Sequence, residues 1–275
     1  MLFDSHTHLQ FDDFDKDRVD VIKRLIDNNI FIINVGSNIE NSKMALDLSK
    51  QYSFMWVSVG VHPSEVITYS HSKTRVLNML SQNMLLALRE LAQNPKVVAI
   101  GECGLDLSYF KEIPDYELYQ NEYNNYQYTM FRQQIRLAQE LGKPIILHIR
   151  KLYEEAIKIL EEEKFKNNVV FHFFKGKQKT LEQILEHSNY YLGFSGVITY
   201  DNSLDNIIFN TPLNRLLIET DAPYVPPIPK KGERNEPLFI KYTAEHIAKV
   251  KNLSLKEIEK ITYENTLKVF NIQNV

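Results

Sequence analysis

The amino-acid sequence predicts an α/β fold, specifically a (β/α)8 TIM barrel, in which eight parallel strands alternate with helices. Short runs rich in Val, Ile and Phe alternate with longer polar stretches of helical period, as in strands joined by crossover helices. Residue types that bind metals recur at the C-terminal ends of these runs. The length of 275 residues suits one such barrel, and the sequence contains no Gly-rich nucleotide loop typical of open doubly wound sheets.

Eight apolar runs are predicted to form the strands, at residues 2–5, 30–36, 54–61, 97–101, 144–149, 168–173, 190–195 and 215–220. Predicted helices lie between them at 15–28, 39–51, 75–93, 126–141, 152–164, 180–187 and 203–210. Two more follow the last strand at 237–251 and 254–270, the second being an extra C-terminal helix. Asn94-Pro95 and Gly142 mark helix ends, and Ser254 and Glu257 have the spacing of a capping box. Because no repeat or low-complexity linker interrupts this pattern, we predict a single domain spanning residues 1–275.

Two predicted loops are long for simple connections, at 64–74 and 107–125. The second carries Tyr109, Tyr116, Tyr119 and Tyr123, and it follows the fourth strand on the side that bears the metal-ligand residue types. Loops at that end of a barrel form the active site, so this one is expected either to cover the substrate or to serve only in packing. With 15 Tyr and 15 Phe in the chain, both alternatives stay open.

The bulk composition excludes several classes of protein. The net charge of -3 argues against general attraction to nucleic acid, so any contact with phosphate must be local. The single cysteine, Cys103, rules out an intramolecular disulfide and fits a reducing compartment. We see no secretory signal, and no apolar run approaches the roughly 18 residues that span a bilayer. We therefore expect a cytoplasmic protein with no membrane contact and no obligate protein partner.

Potential metal ligands follow five of the predicted strands. His6 and His8 lie two residues apart, so both imidazoles are expected on one face of the first strand. Strands four, five, six and eight carry Glu102, His148, His172 and Asp221. Taken singly, each has an ordinary explanation, because buried histidines are usually hydrogen-bonded core residues and carboxylates after strands often cap helices. Chance would scatter such residues, so their recurrence at one end of the barrel indicates a shared site.

The chemistry of this set suits two divalent ions. Four imidazoles and two carboxylates accept Zn, Mn or Mg, with one carboxylate able to bridge. Two ions roughly 3.5–4 Å apart activate a water and stabilise both the attacking and the leaving oxygen. Two dications against two carboxylates leave net positive charge, which favours an anionic substrate such as a phosphodiester.

The sequence resembles the TatD family of metal-dependent deoxyribonucleases, within the amidohydrolase-type barrels, over nearly its whole length. The resemblance rests on Asp4-Ser5-His6-Thr7-His8-Leu9, Gly60-Val61-His62-Pro63, Gly101-Glu102-Cys103-Gly104-Leu105-Asp106, Leu147-His148-Ile149-Arg150, Glu219-Thr220-Asp221-Ala222-Pro223-Tyr224 and Arg234-Asn235-Glu236-Pro237.

The resemblance implies a role for each ligand. His6, His8 and Asp221 would bind one metal ion, His148 and His172 would bind a second, and Glu102 would bridge them. Asp221 would also orient or deprotonate the attacking water, so Asp221 and Glu102 are the expected catalytic residues. Glu102 stands where many dinuclear amidohydrolases have a carbamylated Lys.

Three more residues are candidates for binding the substrate: His62, Lys175 and Arg234. The resemblance places His62 near the substrate phosphate, and a structural role before Pro63 is the alternative. This family usually has a small or hydroxyl residue where this chain has Lys175, which could bind phosphate or narrow the pocket.

Local basic charge gives a separate indication of an acidic substrate. Lys175, Lys177 and Lys179 follow strand six, while Lys230, Lys231 and Arg234 follow strand eight. In a barrel both groups would lie around the same mouth and could contact a nucleic-acid backbone. The alternative is that both are solvated loops.

These inferences predict a divalent-metal-dependent phosphodiester hydrolase acting on DNA, with the 3′–5′ exonuclease activity on single strands that the resemblance suggests. The alternative is an amidohydrolase-type hydrolase of C–N or lactone bonds in a small cyclic substrate, since the same metals polarise a carbonyl. A barrel retained as a binding or scaffold protein would have a broken ligand set, whereas every ligand is present. The residues themselves leave open the native metal, RNA against DNA, the strand polarity and the oligomeric state.

Overall fold

The structure, a computed structural model, describes residues 1–65, 74–108 and 116–273. Most of the predicted loop 64–74 and residues 109–115 of the predicted Tyr-rich loop, including Tyr109, lie outside the described residues. The side chains of Tyr116 and Tyr119 lie outside them as well. Whether this loop covers a substrate therefore stays a prediction.

The strands form one parallel sheet in which each pairs with the next in chain order. They are β1 (Leu2–Thr7), β2 (Ile30–Val35), β3 (Met55–Val59), β4 (Val97–Leu105), β5 (Ile145–Ile149), β6 (Val169–Phe171), β7 (Tyr190–Phe194) and β8 (Leu216–Ile218). All eight predicted strands are confirmed. Sequential parallel strands with helices between them form a nearly closed (β/α)8 barrel, which confirms the predicted fold class.

Helices connect the strands, and two of them follow β8. In the described part of the chain they are α1 (Arg18–Asp27), α2 (Ile39–Ser49), α3 (Thr74–Leu91), α4 (Tyr116–Glu140), α5 (Tyr153–Glu162), α6 (Gln178–Leu185), α7 (Asp205–Asn210), α8 (Ile240–Lys251) and α9 (Leu255–Val269). The predicted capping box of Ser254 and Glu257 is present at the start of α9. Among these described helices, none combines the length and the apolar character needed to cross a membrane.

The predicted start of the fourth helix at residue 126 is wrong, because α4 begins at Tyr116. Residues 116–125 contain neither Gly nor Pro, so nothing in their sequence stops a helix. Tyr123, assigned to the Tyr-rich loop, is buried in the core cluster between the sheet and the helices. The second half of the predicted loop is therefore part of the barrel wall.

A small apolar cluster fills the interior of the barrel. The strand residues in it are Phe3, Ile33, Val35, Ala99, Ile146, Val170, Tyr191 and Leu217. The chain neighbours of Ile146 and Val170 pack instead into the larger cluster beneath the helices. Because side chains alternate along a strand, His148 and His172 share the inward face of Ile146 and Val170. The alternation thus directs both imidazoles into the mouth of the barrel.

The two ends of the barrel differ. At the C-terminal ends of the strands, the Asp221 N–H donates to the His6 carbonyl at 2.9 Å and joins the residues after β8 to β1. At the opposite end, Phe270 packs into the interior cluster, and Asn168 just before β6 donates to the Val269 carbonyl at 2.9 Å. The segment after α9 therefore closes that end, and the open mouth lies where the potential ligands collect.

Candidate metal centre

His6 and His8 lie at the end of β1 with their Nε2 atoms 3.2 Å apart. His8 Nδ1 lies 2.7 Å from the carbonyl oxygen of Val35, so Nδ1 carries the proton and the Nε2 lone pair faces the pocket. Phe11 stacks on the His8 ring with 4.6 Å between centroids. Packing and a backbone carbonyl thus fix both the orientation and the tautomer of His8.

Asp221 completes this group from the turn after β8. Its Oδ1 lies 3.4 Å from His8 Nε2 and 3.8 Å from His6 Nε2. Its φ of 57° lies in the left-handed region, which residues other than glycine seldom adopt and which is common at functional sites. Burial by itself would raise the pKa of Asp221, but the charge of His172 and a hydrogen bond from His8 lower that pKa. Asp221 is therefore ionised, as a metal ligand or a general base must be.

Asp4, to which the sequence interpretation gave no role, holds this turn in place. The Asp4 carboxylate is fully buried and accepts hydrogen bonds from the Thr220 amide at 2.9 Å and from the Thr220 hydroxyl. It also accepts from the His6 amide at 3.2 Å. Burial raises the pKa of Asp4 well above its usual value. Asp4 thus connects the His6 backbone to Thr220, the residue before Asp221. The feature of the sequence that could have indicated this role is an acidic residue inside an apolar strand.

Glu102 lies in β4 at the centre of the group. Its Oε2 is 3.4 Å from His6 Nε2, and its Oε1 is 3.0 Å from His148 Nδ1. Burial by itself would raise the pKa of Glu102, but the charges and hydrogen bonds of the surrounding imidazoles hold that pKa well below its usual range. One ionised carboxylate therefore faces both halves of the site, as a bridging ligand must.

His148 and His172 each contact a further buried carboxylate that the sequence interpretation did not assign. Asp106, directly after β4, lies 3.2 Å from His148 Nε2, and Glu219, directly after β8, lies 2.8 Å from His172 Nδ1. Gly193 makes room for Glu219, because a Cβ at that position would lie 2.2 Å from the carboxylate. Asp106 and Glu219 belong to segments that carry the family resemblance, but nothing in the sequence indicated which imidazole each of them contacts.

These carboxylates determine the charge of the two imidazoles. Burial by itself would lower the pKa of a histidine, yet the carboxylates raise the pKa of His148 to about 9 and that of His172 to about 10. Burial instead lowers the pKa of His62 to about 3. Since a metal ligand is a neutral imidazole, a cation that binds His148 or His172 must displace a proton.

His62 lies beside the same carboxylate as His148. Its Nδ1 lies 2.7 Å from the Ser64 hydroxyl, and its Nε2 lies 3.7 Å from Glu102 Oε1. Its ring meets that of His148 edge-on at 4.4 Å between centroids. The structure therefore places His62 among the potential metal ligands in the wall of the same pocket, and its contact with substrate stays a prediction.

The potential ligand atoms form groups that meet at Glu102. Two groups, each with atoms within 4.8 Å of one another, are His6, His8 and Asp221, and His62, Glu102 and His148. A third contains His6, His172 and Glu219. His172 lies between the first two, with its Nε2 3.6 Å from Glu102 Oε1 and 3.7 Å from Asp221 Oδ1.

This donor set fits divalent cations. Bonds of about 2.0–2.1 Å to one tetrahedral ion place neighbouring ligand atoms roughly 3.3–3.4 Å apart. The distances among the ligand atoms of His6, His8 and Asp221 run from 3.2 to 3.8 Å. In the described residues, the ion pairs of Glu102 are with histidines and not with Lys or Arg. A buried carboxylate surrounded by imidazoles is the environment that a metal ion would stabilise.

Arg234, a predicted substrate contact, is held by other residues. Its guanidinium donates to both carboxylate oxygens of Asp17 at 2.7 Å and to the Asp13 carbonyl at 2.6 Å. It also lies 4.4 Å from the centroid of the Phe14 ring. The structure thus places Arg234 as an anchor for the segment between β1 and α1, and its contact with substrate stays a prediction.

The two basic groups near the mouth differ in how many of their cations form ion pairs with neighbouring carboxylates. Lys175 and Lys177 are exposed and form no ion pair with a residue that the structure describes. The Lys175 ammonium lies 5.4 Å from the centroid of the Phe173 ring. The paired cations are Lys179 with Glu154 (2.8 Å), Lys230 with Glu233 (3.0 Å) and Arg234 with Asp17 (2.7 Å). The group after β6 therefore has two cations without an ion pair among the described residues, whereas the group after β8 has one, Lys231.

Two cavities open at the mouth and share His148, Arg150, His172 and Phe173. The metal pocket, of about 780 Å³, is lined by His8, His62, Glu102, Asp221, Asp12, Asp13 and Glu65 in addition to the shared residues. The basic groove, of about 640 Å³, is lined by Lys151, Lys175 and Lys177 together with Tyr153, and no described carboxylate lines it. An acidic cavity with metal-ligand chemistry therefore continues into a cationic one.

Known proteins match this chain along nearly all of its length. A model of the family described as TatD related DNase matches residues 3–271. A Bacillus subtilis relative, named uncharacterized metal-dependent hydrolase YabD, is 35% identical over 276 residues, covering 99% of this chain and 100% of its own. An Erwinia tasmaniensis relative, named 3′-5′ ssDNA/RNA exonuclease TatD, is 31% identical over 282 residues, covering 98% of this chain and 100% of its own.

A solved structure matches the barrel equally completely. The crystal structure of YjjV, a TatD homologue from Escherichia coli K12, superposes with a TM-score of 0.83 at 26% identity and covers 99% of this chain and 98% of that one. The likeness therefore extends to both ends of the barrel described above.

Proposed function

Because this chain belongs to the family of TatD-related DNases and is a metal-dependent hydrolase, we propose that it hydrolyses phosphodiester bonds of single-stranded DNA from the 3′ end. The named activity of the Erwinia relative supports the polarity and the single-stranded substrate. The observation that carries the proposal is Glu102, whose two oxygens face different ligand groups where an acidic pocket meets a basic groove.

The proposed ligands divide between two ions. One ion is bound by His6, His8 and Asp221. The second is bound by His148 and His172, whose nitrogens lie 3.0 and 3.6 Å from Glu102 Oε1, and Glu102 is the bridge. His62 lies close enough to Glu102 to contact the second ion or the substrate phosphate. Divalent ions bound there, such as Zn, Mn or Mg, would supply an activated water and stabilise charge on the phosphate.

Asp221 is the proposed general base, and its exposure supports this over Glu102. The Asp221 side chain is 15% exposed and faces the pocket, whereas that of Glu102 is 5% exposed and surrounded by imidazoles. The contacts of Asp4 with Thr220 and His6 hold Asp221 in position, so it can accept a proton from water without rearrangement. Glu102 is suited to the role of ligand.

Arg150 is placed to orient the substrate. Its side chain is 59% exposed where the two cavities meet, and its guanidinium lies 3.8 Å from the Asp106 carboxylate. A guanidinium at this junction can donate to a phosphate held beside Glu102 while Asp106 limits its movement. Tyr224, which is 51% exposed at the rim of the metal pocket, offers an aromatic face to a base.

The test is a time course on a 5′-labelled single-stranded DNA oligomer, using chelator-treated protein to which Mg, Mn or Zn is restored. A ladder that shortens from the 3′ end in a metal-dependent manner is expected. An Asp221→Asn variant purified in parallel controls for contaminating nuclease and should leave the oligomer intact. If folded, metal-loaded protein leaves DNA uncut but hydrolyses cyclic amides or lactones, the proposal is overturned in favour of the C–N or lactone alternative.

A further inference from the structure

The basic groove contains lysines that have no role in the metal chemistry proposed above. It extends from His148 and His172, which it shares with the metal pocket, to Lys175 and Lys177. Its cavity of about 640 Å³ is comparable with that of the metal pocket. A hydrolase of small phosphodiesters would have no use for a second cationic cavity of this size.

The cations of the groove are available to a ligand. Lys175 and Lys177 are exposed and have no ion pair among the described residues, and exposed Lys151 also lines the groove. Lys179 differs from them, because its ammonium is paired with Glu154 at 2.8 Å and it does not line the groove. The same short segment thus contains lysines without an ion pair among the described residues and one lysine paired with a glutamate. The lysines without an ion pair are the ones that line the groove.

The backbone that carries Lys175 is held on both sides. The Lys175 N–H donates to the Tyr153 hydroxyl at 3.1 Å, and the Phe173 N–H donates to Glu219 at 2.6 Å. Gly176 has no room for a side chain, since a Cβ there would lie 2.4 Å from the Phe174 ring. Lys175 therefore projects from a fixed wall that is coupled through Glu219 to His172, and not from a mobile lysine-rich loop.

We propose that the basic groove binds the phosphodiester backbone of the DNA strand on the 5′ side of the scissile bond. Lys175 and Lys177 contact its phosphates, and Phe173 lies beside the nucleotide between the two cavities. This inference rests on the proposed function, because a 3′ end in the metal pocket leaves the rest of the strand on that side. The groove makes oligomers better substrates than small phosphodiesters, and it adds a salt-dependent component to binding.

Binding is measured first, by fluorescence anisotropy of a labelled single-stranded oligomer with full-length protein and chelator present, so that no cleavage occurs. The double variant Lys175→Ser/Lys177→Ser should raise Kd by about 2- to 25-fold, since each exposed ion pair contributes about 1.4- to fivefold. The slope of log Kd against log salt should fall by roughly 1.4, because each phosphate contact on a single strand contributes about 0.7.

The matched control is Lys158→Ser/Lys179→Ser, which removes the same charge from exposed lysines outside the groove, each 4.0 Å or less from a glutamate. Its Kd and salt slope should equal those of the wild type. Equal weakening by both double variants would overturn the groove and indicate general charge attraction. All four positions are exposed, so circular dichroism should show unchanged folding.

Cleavage with Mn restored separates this inference from the proposed function. The small diester bis(p-nitrophenyl) phosphate should be hydrolysed equally by the wild type and by Lys175→Ser/Lys177→Ser, while the KM for the oligomer rises in the variant. Replacing the 5′-side linkages of the oligomer by neutral methylphosphonates should raise the wild-type KM to the value of the variant. An unchanged KM in that case would overturn the groove, whereas loss of all metal-dependent phosphodiester cleavage would overturn the proposed function instead.

Discussion

The metal pocket and the basic groove adjoin at the mouth of one barrel, yet their charges are placed in opposite ways. Around Glu102 the charged groups of the metal pocket are buried and in mutual contact, with the Glu102 side chain 5% exposed and that of His172 3% exposed. The lysines of the basic groove, Lys151, Lys175 and Lys177, are exposed to solvent. Histidines and carboxylates line the first cavity, and lysines from the loops after β5 and β6 line the second.

Because of this difference, substitutions in the two cavities should have effects of different size. A charge that loses its partner in a buried pocket is left uncompensated, so single substitutions there have large effects. Exposed cations are screened by water and salt, so each contributes little and their effects accumulate. We therefore expect the metal pocket to determine the chemistry and the basic groove to determine which lengths of strand are bound.

The largest expected effect comes from Glu102→Ala, which removes the carboxylate shared by both ligand groups. The kcat should fall by about 10²- to 10³-fold, the loss seen when a single transition-state group is removed. Measured metal content should fall with it. Glu65→Ala is the matched control, because Glu65 lines the same pocket but belongs to none of the ligand groups. Full metal content and normal turnover in Glu102→Ala would refute the bridging assignment.

Glu219→Gln should have the next largest effect, through the position of His172. The change removes a buried negative charge 2.8 Å from His172 Nδ1, and loss of such a partner weakens metal binding by about 10- to 100-fold. Metal titration should show this weakening, while Kd for the oligomer in chelator stays at the wild-type value. Glu161→Gln, which alters a histidine–glutamate contact at His187 outside the site, serves as the control. Equal metal affinity in both variants would reduce Glu219 to a packing residue.

Metal binding and strand binding should respond to different solution conditions. The pKa of His148 is raised to about 9 and that of His172 to about 10, so both are protonated at neutral pH and a cation must displace those protons. Metal affinity should therefore rise between pH 6 and 9, by roughly tenfold per pH unit for each proton displaced. Strand binding in chelator should stay constant over that range, because the groove contacts the strand through its exposed lysines and not through the imidazoles that bind metal. Calorimetry in buffers of different ionisation enthalpy measures the proton release, and its absence would contradict the assignment of these imidazoles as ligands.

The smallest effect is expected from a substitution that lowers the stability of the fold without changing either cavity. Ser254→Ala removes the capping box at the start of α9, far from the mouth, and should lower the free energy of unfolding by about 1 kcal/mol. Urea denaturation measures this change. The kcat, the KM and the metal content should equal those of the wild type, and a change in any of them would show that the site is coupled to α9.

The sequence by itself determined the fold and the chemical types at the site. Local periodicity located every strand, because inward and outward side chains alternate within a strand whatever its partner. It also located the residues that end the strands, including His148 and Asp221. The start of α4 was missed because the tyrosines of 116–125 look alike in a loop and in a helix, and only burial of Tyr123 distinguishes the two.

Only the tertiary structure determines which side chains contact each other. Asp4 binds Thr220 across 216 positions of the chain, and Glu219 reaches His172 only because Gly193 leaves space between neighbouring strands. The two basic groups look equivalent in the sequence, yet Arg234 is paired with Asp17 while Lys175 faces a cavity. The physical reason is that periodicity is a property of adjacent residues, whereas pairing, burial and available charge depend on closure of the barrel, which brings distant segments together.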